Sequence, residues 1–158
     1  MSKISAQMEV RATREHLQAE VEKLPTGAAI ELLQASMRAL PQVELPTSHH
    51  FGGGVYLREL FIPKGHTLIG RTHKKEHLCI FVCGDMTVVS DGARTRLTGY
   101  KTFVSAPGVK RAGYAHEDSI FVTVHRTDSK DLDEIERETV EPETEALFDS
   151  SNRLLENA

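Results

Sequence analysis

Four side chains in this sequence are candidate transition-metal ligands by type and position: His73, Glu76, His77 and His125. The first three fall in one stretch bounded by Gly65 and Gly84, which reads HTLIGRTHKKEHLCIFVC between those glycines. His125 ends the apolar run SIFVTVH. Imidazole nitrogens with a carboxylate suit Zn, Fe, Ni or Mn, with the geometry deciding among them. Three imidazoles meeting in a pocket would leave an open coordination position, which is the catalytic pattern. The alternative is that each histidine sits half-exposed at a strand end and is hydrogen-bonded there.

The parity of a strand limits which of these can meet. His73 closes one apolar run, and Lys74-Lys75 reads as a hairpin turn. Either Glu76 or His77 then points inward, because neighbours in a strand face opposite sides. If His77 faces in, Cys79, Phe81 and Cys83 share its face; if Glu76 does, Leu78, Ile80 and Val82 do. Both sets are apolar, so periodicity leaves the choice open.

Other catalytic chemistries find little support. Gly52-Gly53-Gly54 lacks the Lys-Ser/Thr and the following helix of a phosphate-binding loop. No Gly-x-Ser-x-Gly nucleophile turn is present. Cys79 and Cys83 lie four apart in one strand-like run, about 13 Å at roughly 3.3 Å per residue, beyond the ~7 Å reach of a disulfide. They read as small buried hydrophobes of a reducing compartment. His49, His50, His66 and His116 fall in loops or turns and read as surface histidines.

A net charge of −4 argues against nucleic-acid or anionic-membrane binding, since both need a basic footprint. No run approaches the ~20 apolar residues of a membrane span, and MSKISAQMEVRATREHLQAE has no apolar signal-peptide core. The expectation is a cytoplasmic or virion-associated protein. Hydrophobic residues at 39% of 158 support one core, built mostly of Val, Ile and Leu because Trp is absent.

The elements that must position the candidate ligands follow from the patterning. Residues 1–40 read as a helical arm: Val10, Leu17, Val21 and Leu24 mark one helix. After Pro25 and Gly27, Thr26 is the N-cap of a second, faced by Ile30, Leu33, Met37 and Leu40. Residues 41–54 read as a Pro- and Gly-punctuated linker. From 55 to 127 short β-forming runs alternate with turns: Val55–Ile62, Thr67–Thr72, His77–Cys83, Met86–Ser90, Arg94–Thr98, Lys101–Ser105 and Ser119–Arg126. About seven such runs point to a sandwich or small barrel. Residues 128–158 hold eleven Asp/Glu against three Lys/Arg, a net −8 that leaves +4 on the remainder. Asp131–Val140 is predicted to be a short helix. Beyond Pro142 a mobile acidic tail is expected, with Leu147, Phe148, Leu154 and Leu155 as an apolar handle.

Residues 55–126 resemble the cupin superfamily. Its first motif runs His-x-His, then Glu, then Gly six residues on; here the frame is Arg71, His73, His77 and Gly84. The second motif places Pro, Gly and His before an apolar run, and Pro107-Gly108 with Arg111 fits it. The phrases ALPQVELPTSHHF, GVYLRELFIPKG, HKKEH, PGVKRAGYAHEDS and TVHRTD also look like small cupin-like proteins encoded by bacteriophages and prophages. The resemblance implies a mainly β, single jelly-roll barrel behind a helical arm, followed by a short C-terminal helix and acidic tail. It puts Arg71 and Arg111 where metal ligands usually stand. Buried unpaired arginines are costly. They imply either an anionic ligand or ion pairs with Glu76, Glu59, Glu117 or Asp118.

Two functions stand side by side. One is a metal-binding barrel acting on a small anionic molecule: His73, His77 and His125 hold the ion, Glu76 is a ligand or general base, and Arg71 or Arg111 orients the substrate. The other is a non-catalytic barrel used as a binding, assembly or virion-associated module, its arm joining subunits or meeting a phage or host protein. A homodimer or larger oligomer is expected in either case, because the barrel leaves an apolar sheet face and the arm adds Leu17, Val21, Ile30, Leu33 and Met37. Fold alone does not choose between them.

Overall fold

The computed structural model describes residues 27–156. The first expected helix, the cap at Thr26 and the last two residues lie outside that range. Within it, helix α1 (Gly27–Arg38) leads into seven strands: β1 (Thr47–Gly52), β2 (Val55–Ile62), β3 (Thr67–Ile69), β4 (His77–Ser90), β5 (Ala93–Thr98), β6 (Lys101–Ser105) and β7 (Arg111–Arg126). Helix α2 (Leu132–Thr139) follows. The protein is mainly β, as expected from the sequence, with every strand pairing antiparallel in one seven-stranded sheet.

Two long strands do most of the organising. The first half of β4 pairs with β6 and with the second half of β7, which also pairs with β2; β1 adds on as an edge. Their other halves pair with each other and carry β5 and β3. Between these halves the β4–β7 register shifts at Phe81/Cys83, Cys83/Asp85 and Asp85/Met86. Such bulges bend a strand and let one pair of strands serve two walls. Gly84 sits at this corner with φ +105°, and a Cβ there would fall 2.2 Å from Ser119 Oγ. Only glycine fits such a turn and such a close approach.

The bulge also answers a question of parity. His77, Cys79 and Phe81 face the interior, whereas Leu78 and Val82 are exposed. Cys83, which strict alternation puts inside, is exposed, because the register has already slipped by one.

The core lies between the walls: Ile62, Phe81, Met86, Val88, Leu97 and Ala115, with Leu60, Leu68, Phe103 and Phe121 against them. A second cluster joins Ile30 and Leu33 of α1 to Val89 and Ala112 on the outside of the β3–β7–β4 wall, with Met37 and Ile69 beside it. Three of the arm residues expected to offer an apolar surface to another subunit are thus spent on the chain's own barrel.

Two segments differ from expectation. The expected linker contains β1, an edge strand whose composition (TSHHFG) carries little β signal because only β2 pairs with it and most of it is exposed. The tail is seated rather than loose. Phe148 and Leu154 form a bridge, Asn152 Nδ2 donates to the Leu45 carbonyl at 3.2 Å, Leu154 N donates to Glu44 Oε1 at 2.7 Å, and Glu145 pairs with Arg38. Its polar side chains bond specific backbone atoms, a signal that composition does not carry.

Candidate metal centre

His77 opens β4, opposite Ser105 of β6, and His125 lies near the end of β7, opposite Tyr56 of β2. His73 belongs to no long strand. It is held where β3 runs into β4: its backbone bridges to Val140, and its carbonyl accepts from Gly108 N at 2.9 Å. The three rings meet, with centroids 4.2 Å apart for His73–His77, 4.8 Å for His73–His125 and 4.5 Å for His77–His125. One nitrogen from each lies within 4.8 Å of the others, and among the described residues no other three His, Cys, Asp or Glu side chains meet this way.

The electrostatics suit ligands. Burial, then the neighbouring His77 and His125, push the His73 pKa down to about 3. Burial, then His77 and Arg58, push His125 down to about 4. Burial also lowers His77, against a hydrogen bond from its Nδ1 to the Lys75 carbonyl at 3.2 Å. All three rings are neutral at pH 7, the form that binds a metal. His73 Nδ1 is buried with no hydrogen-bond partner, a cost that a metal bond or a bound ligand atom would relieve.

These histidines line a cavity of about 150 Å³. Tyr56, Arg58, Thr123, Arg71 and Arg111 share its polar end; Leu60, Ile62, Leu68, Met86, Val88 and Phe121 line the other. Helix α2 closes the polar end with Leu132, Ile135, Glu136 and Thr139. Asp131 caps this helix by accepting from Glu134 N at 2.9 Å, and Asp133 and Glu134 suit the positive end of its dipole. The segment that carries His73 straps it down. Arg71 pairs with Glu136, Lys74 Nζ donates to the Arg137 carbonyl at 2.7 Å, and Lys75 pairs with Glu138 at 2.7 Å.

Of the residues singled out from sequence, His73, His77 and His125 come together. Glu76 does not: it is exposed on the outer side and lines no part of the cavity, the opposite parity from His77. Arg71 lines the cavity, but its guanidinium is taken by Glu136 and by the Phe148 carbonyl, to which it donates at 2.8 Å. None of the expected acidic partners serves it; Glu117 and Asp118 engage Lys64 instead. Arg111 donates to Ser105 Oγ at 2.8 Å and lies 5.6 Å from the Phe103 ring centre, with no carboxylate paired to it. Cys79 is buried, and that burial pushes its thiol up to about 11, away from the thiolate form that a nucleophile needs.

Two cavity residues escaped the sequence reading. Arg58 has no hydrogen bond or ion pair among the described residues, and burial lowers its pKa. Tyr56 stacks near His125, and its hydroxyl shares a 2.7 Å hydrogen bond with His49 Nδ1. The signal for both was the period of two in VYLRELFI, which puts Tyr56 and Arg58 on the face of Leu60 and Ile62.

No family model and no curated protein sequence matches this chain. Solved structures similar to it include KdgF from Halomonas sp., 14% identical with a TM-score of 0.48, covering 56% of this chain and 84% of that one. Another is a cupin superfamily protein from Desulfitobacterium hafniense (10%, TM-score 0.46, 60% and 87%). A third is a cupin 2 conserved barrel domain protein from Salinispora arenicola (18%, TM-score 0.45, 55% and 80%). At these identities none of them carries a ligand or a reaction across to this chain.

Proposed function

We propose that the barrel is a metal-binding cupin-type domain that acts on a small anionic molecule. The observation that carries this is the convergence of three neutral imidazoles, one with an orphaned nitrogen, at the polar end of the cavity. The donor set of three histidines suits Zn, Fe, Ni or Mn. Glu76 has no part in it. A bound ion with an open position would polarise a substrate oxygen or lower the pKa of a bound water.

The chain's own residues do the rest. His73, His77 and His125 offer nitrogens without first having to lose protons. Arg111 and Arg58 supply positive charge for the substrate. Helix α2 covers the polar end, and Arg71 pairs with its Glu136, which leaves Arg111, the other arginine expected to orient a substrate, without a carboxylate.

The likeness of residues 39–128 to small cupin-like proteins of phages and prophages is the reason for proposing a phage setting, in the host cytoplasm or on the virion. A homo-oligomer is proposed with it: Leu78 and Val104 are cross-strand neighbours on β4 and β6, and both are exposed on the outer face. The test of function is metal content. Full-length protein that carries, or is stabilised by, one transition metal per chain supports the enzyme reading. Protein that neither carries nor responds to any of the four leaves the barrel as a binding or assembly module.

A further inference from the structure

The cavity has one charged end and one greasy end. Register along β2 and β7 sets this: Tyr56 lies opposite His125 and Arg58 opposite Thr123, then Leu60 opposite Phe121. Across the barrel, Leu68, Met86 and Val88 line the same greasy end, and no charged side chain lies among them. At the polar end two of the three arginines lack a carboxylate. Arg71 is paired with Glu136. Arg58 has no partner among the described residues, and Arg111 has only a hydroxyl and a ring.

Arg58 and Arg111 also come from different strands, β2 and β7. Arg58 reaches in from β2, beside the strand of His125. Arg111 starts β7 next to Ser105, which faces His77 across the β4–β6 pair. Both line the same cavity as His73. An anion placed there would satisfy two half-buried guanidinium groups, whereas an uncharged guest would leave them without a counter-charge.

We propose that the ligand of this cavity is a small monocarboxylate with an unbranched or aromatic apolar body, its carboxylate held by Arg58 and Arg111 and its tail against Leu60, Leu68, Met86 and Phe121. This rests on reading the cavity as the ligand site, and it deepens that reading. It does not require a metal. A second charged group at the far end would meet only apolar side chains, which disfavours dicarboxylates.

Calorimetric titration of the full chain, before and after chelation, tests this with four probes: hexanoate, 1-hexanol, acetate and adipate. Hexanoate should bind at least about tenfold more tightly than the other three, the worth of one charge-assisted hydrogen bond or of the buried tail. Arg58→Gln and Arg111→Gln should each weaken hexanoate about tenfold or more, with Arg58→Lys and Arg111→Lys falling between. Melting curves identify variants that fail to fold, and the Lys variants then carry the comparison. The proposal is overturned if 1-hexanol or adipate binds as well as hexanoate, or if folded Arg variants bind hexanoate unchanged. Hexanoate binding through both arginines in a chain that takes up no metal would remove the metal reading and leave this one standing. Metal loading without hexanoate binding would do the reverse.

Discussion

His73 is paired across an isolated antiparallel bridge with Val140, the residue that ends α2. A candidate ligand is therefore fixed by the segment that covers the cavity as much as by the barrel. Lys74 N donates to the Thr139 carbonyl at 2.8 Å and Glu141 N to the Thr72 carbonyl at 2.9 Å, extending the bridge on both sides. Helix α2 and the three-histidine cluster are joined through these backbone bonds, and disturbing one should be felt at the other.

Removing residues 142–158 takes away the Phe148 carbonyl from Arg71, Glu145 from Arg38 and the Asn152 bonds to Leu45 and Thr47. The melting temperature of the truncated chain should fall by more than about 3 °C, roughly 1 kcal/mol for a domain of this size. An unchanged melting curve would show that the tail contributes nothing to the fold, as its acidic composition alone suggests.

Glu76 and His77 stand on opposite faces of one strand, so their substitutions should separate cleanly. Glu76→Ala should leave metal uptake unchanged. His77→Ala should lower metal affinity by at least about tenfold, the scale on which loss of even an outer-shell partner is felt. Equilibrium dialysis against Zn or Ni reads both. Equal loss in the two variants would mean that the strand is misregistered.

The strands of the barrel were legible because each is long enough to show β-formers between turns; β2 and β6 match their sequence-derived bounds. What was not legible depended on contacts between distant residues. Whether His77 or Glu76 faces in is decided by register against β6 and β7, while both faces of that strand are apolar in sequence. Arg58 belongs to no motif, and its place in the cavity depends on β7, which pairs it with Thr123. The tail read as loose because its polar side chains find their backbone partners only in the folded chain. His73, His77 and His125 were visible as ligand types; their convergence needed the bend at Gly84 and the bridge at Val140.

The buried rings make stability depend on pH in a definite direction. In the unfolded chain a histidine titrates near 6.5, whereas folded His73 and His125 titrate near about 3 and about 4. Between those values the unfolded state binds more protons, so stability rises with pH and falls as the medium is acidified from about 6.5 towards 4. The carboxylates held low by hydrogen bonds, Asp85, Glu138 and Asp149, add to the loss only further down. Urea midpoints of chelated protein at pH 7.0 and 5.0 should show lower stability at the acid value, and the difference should shrink in His73→Phe. A midpoint independent of pH, or one that rises on acidification, would place the rings in water.

Leu78 is 54% exposed and Val104 57%, unusual for neighbouring aliphatic residues on a sheet face. Light scattering at micromolar concentration should give at least twice the monomer mass of 17.6 kDa, and Leu78→Lys should shift it to the monomer. A wild-type monomer would mean that this face stays open to solvent.

The central claim is that His73, His77 and His125 form one metal centre. Its most direct test is thermal melting of chelated full-length protein with added Zn, Ni, Mn or anaerobic Fe(II), paired with metal content by elemental analysis, for wild type and His73→Ala. A ligand that binds only the folded state raises its stability, by about 2.7 kcal/mol at a hundredfold excess over Kd. The expected result is one ion per chain and a raised melting temperature for wild type, with both lost in a folded His73→Ala. No ion and no shift in the wild type, or an equal shift in His73→Ala, would contradict it.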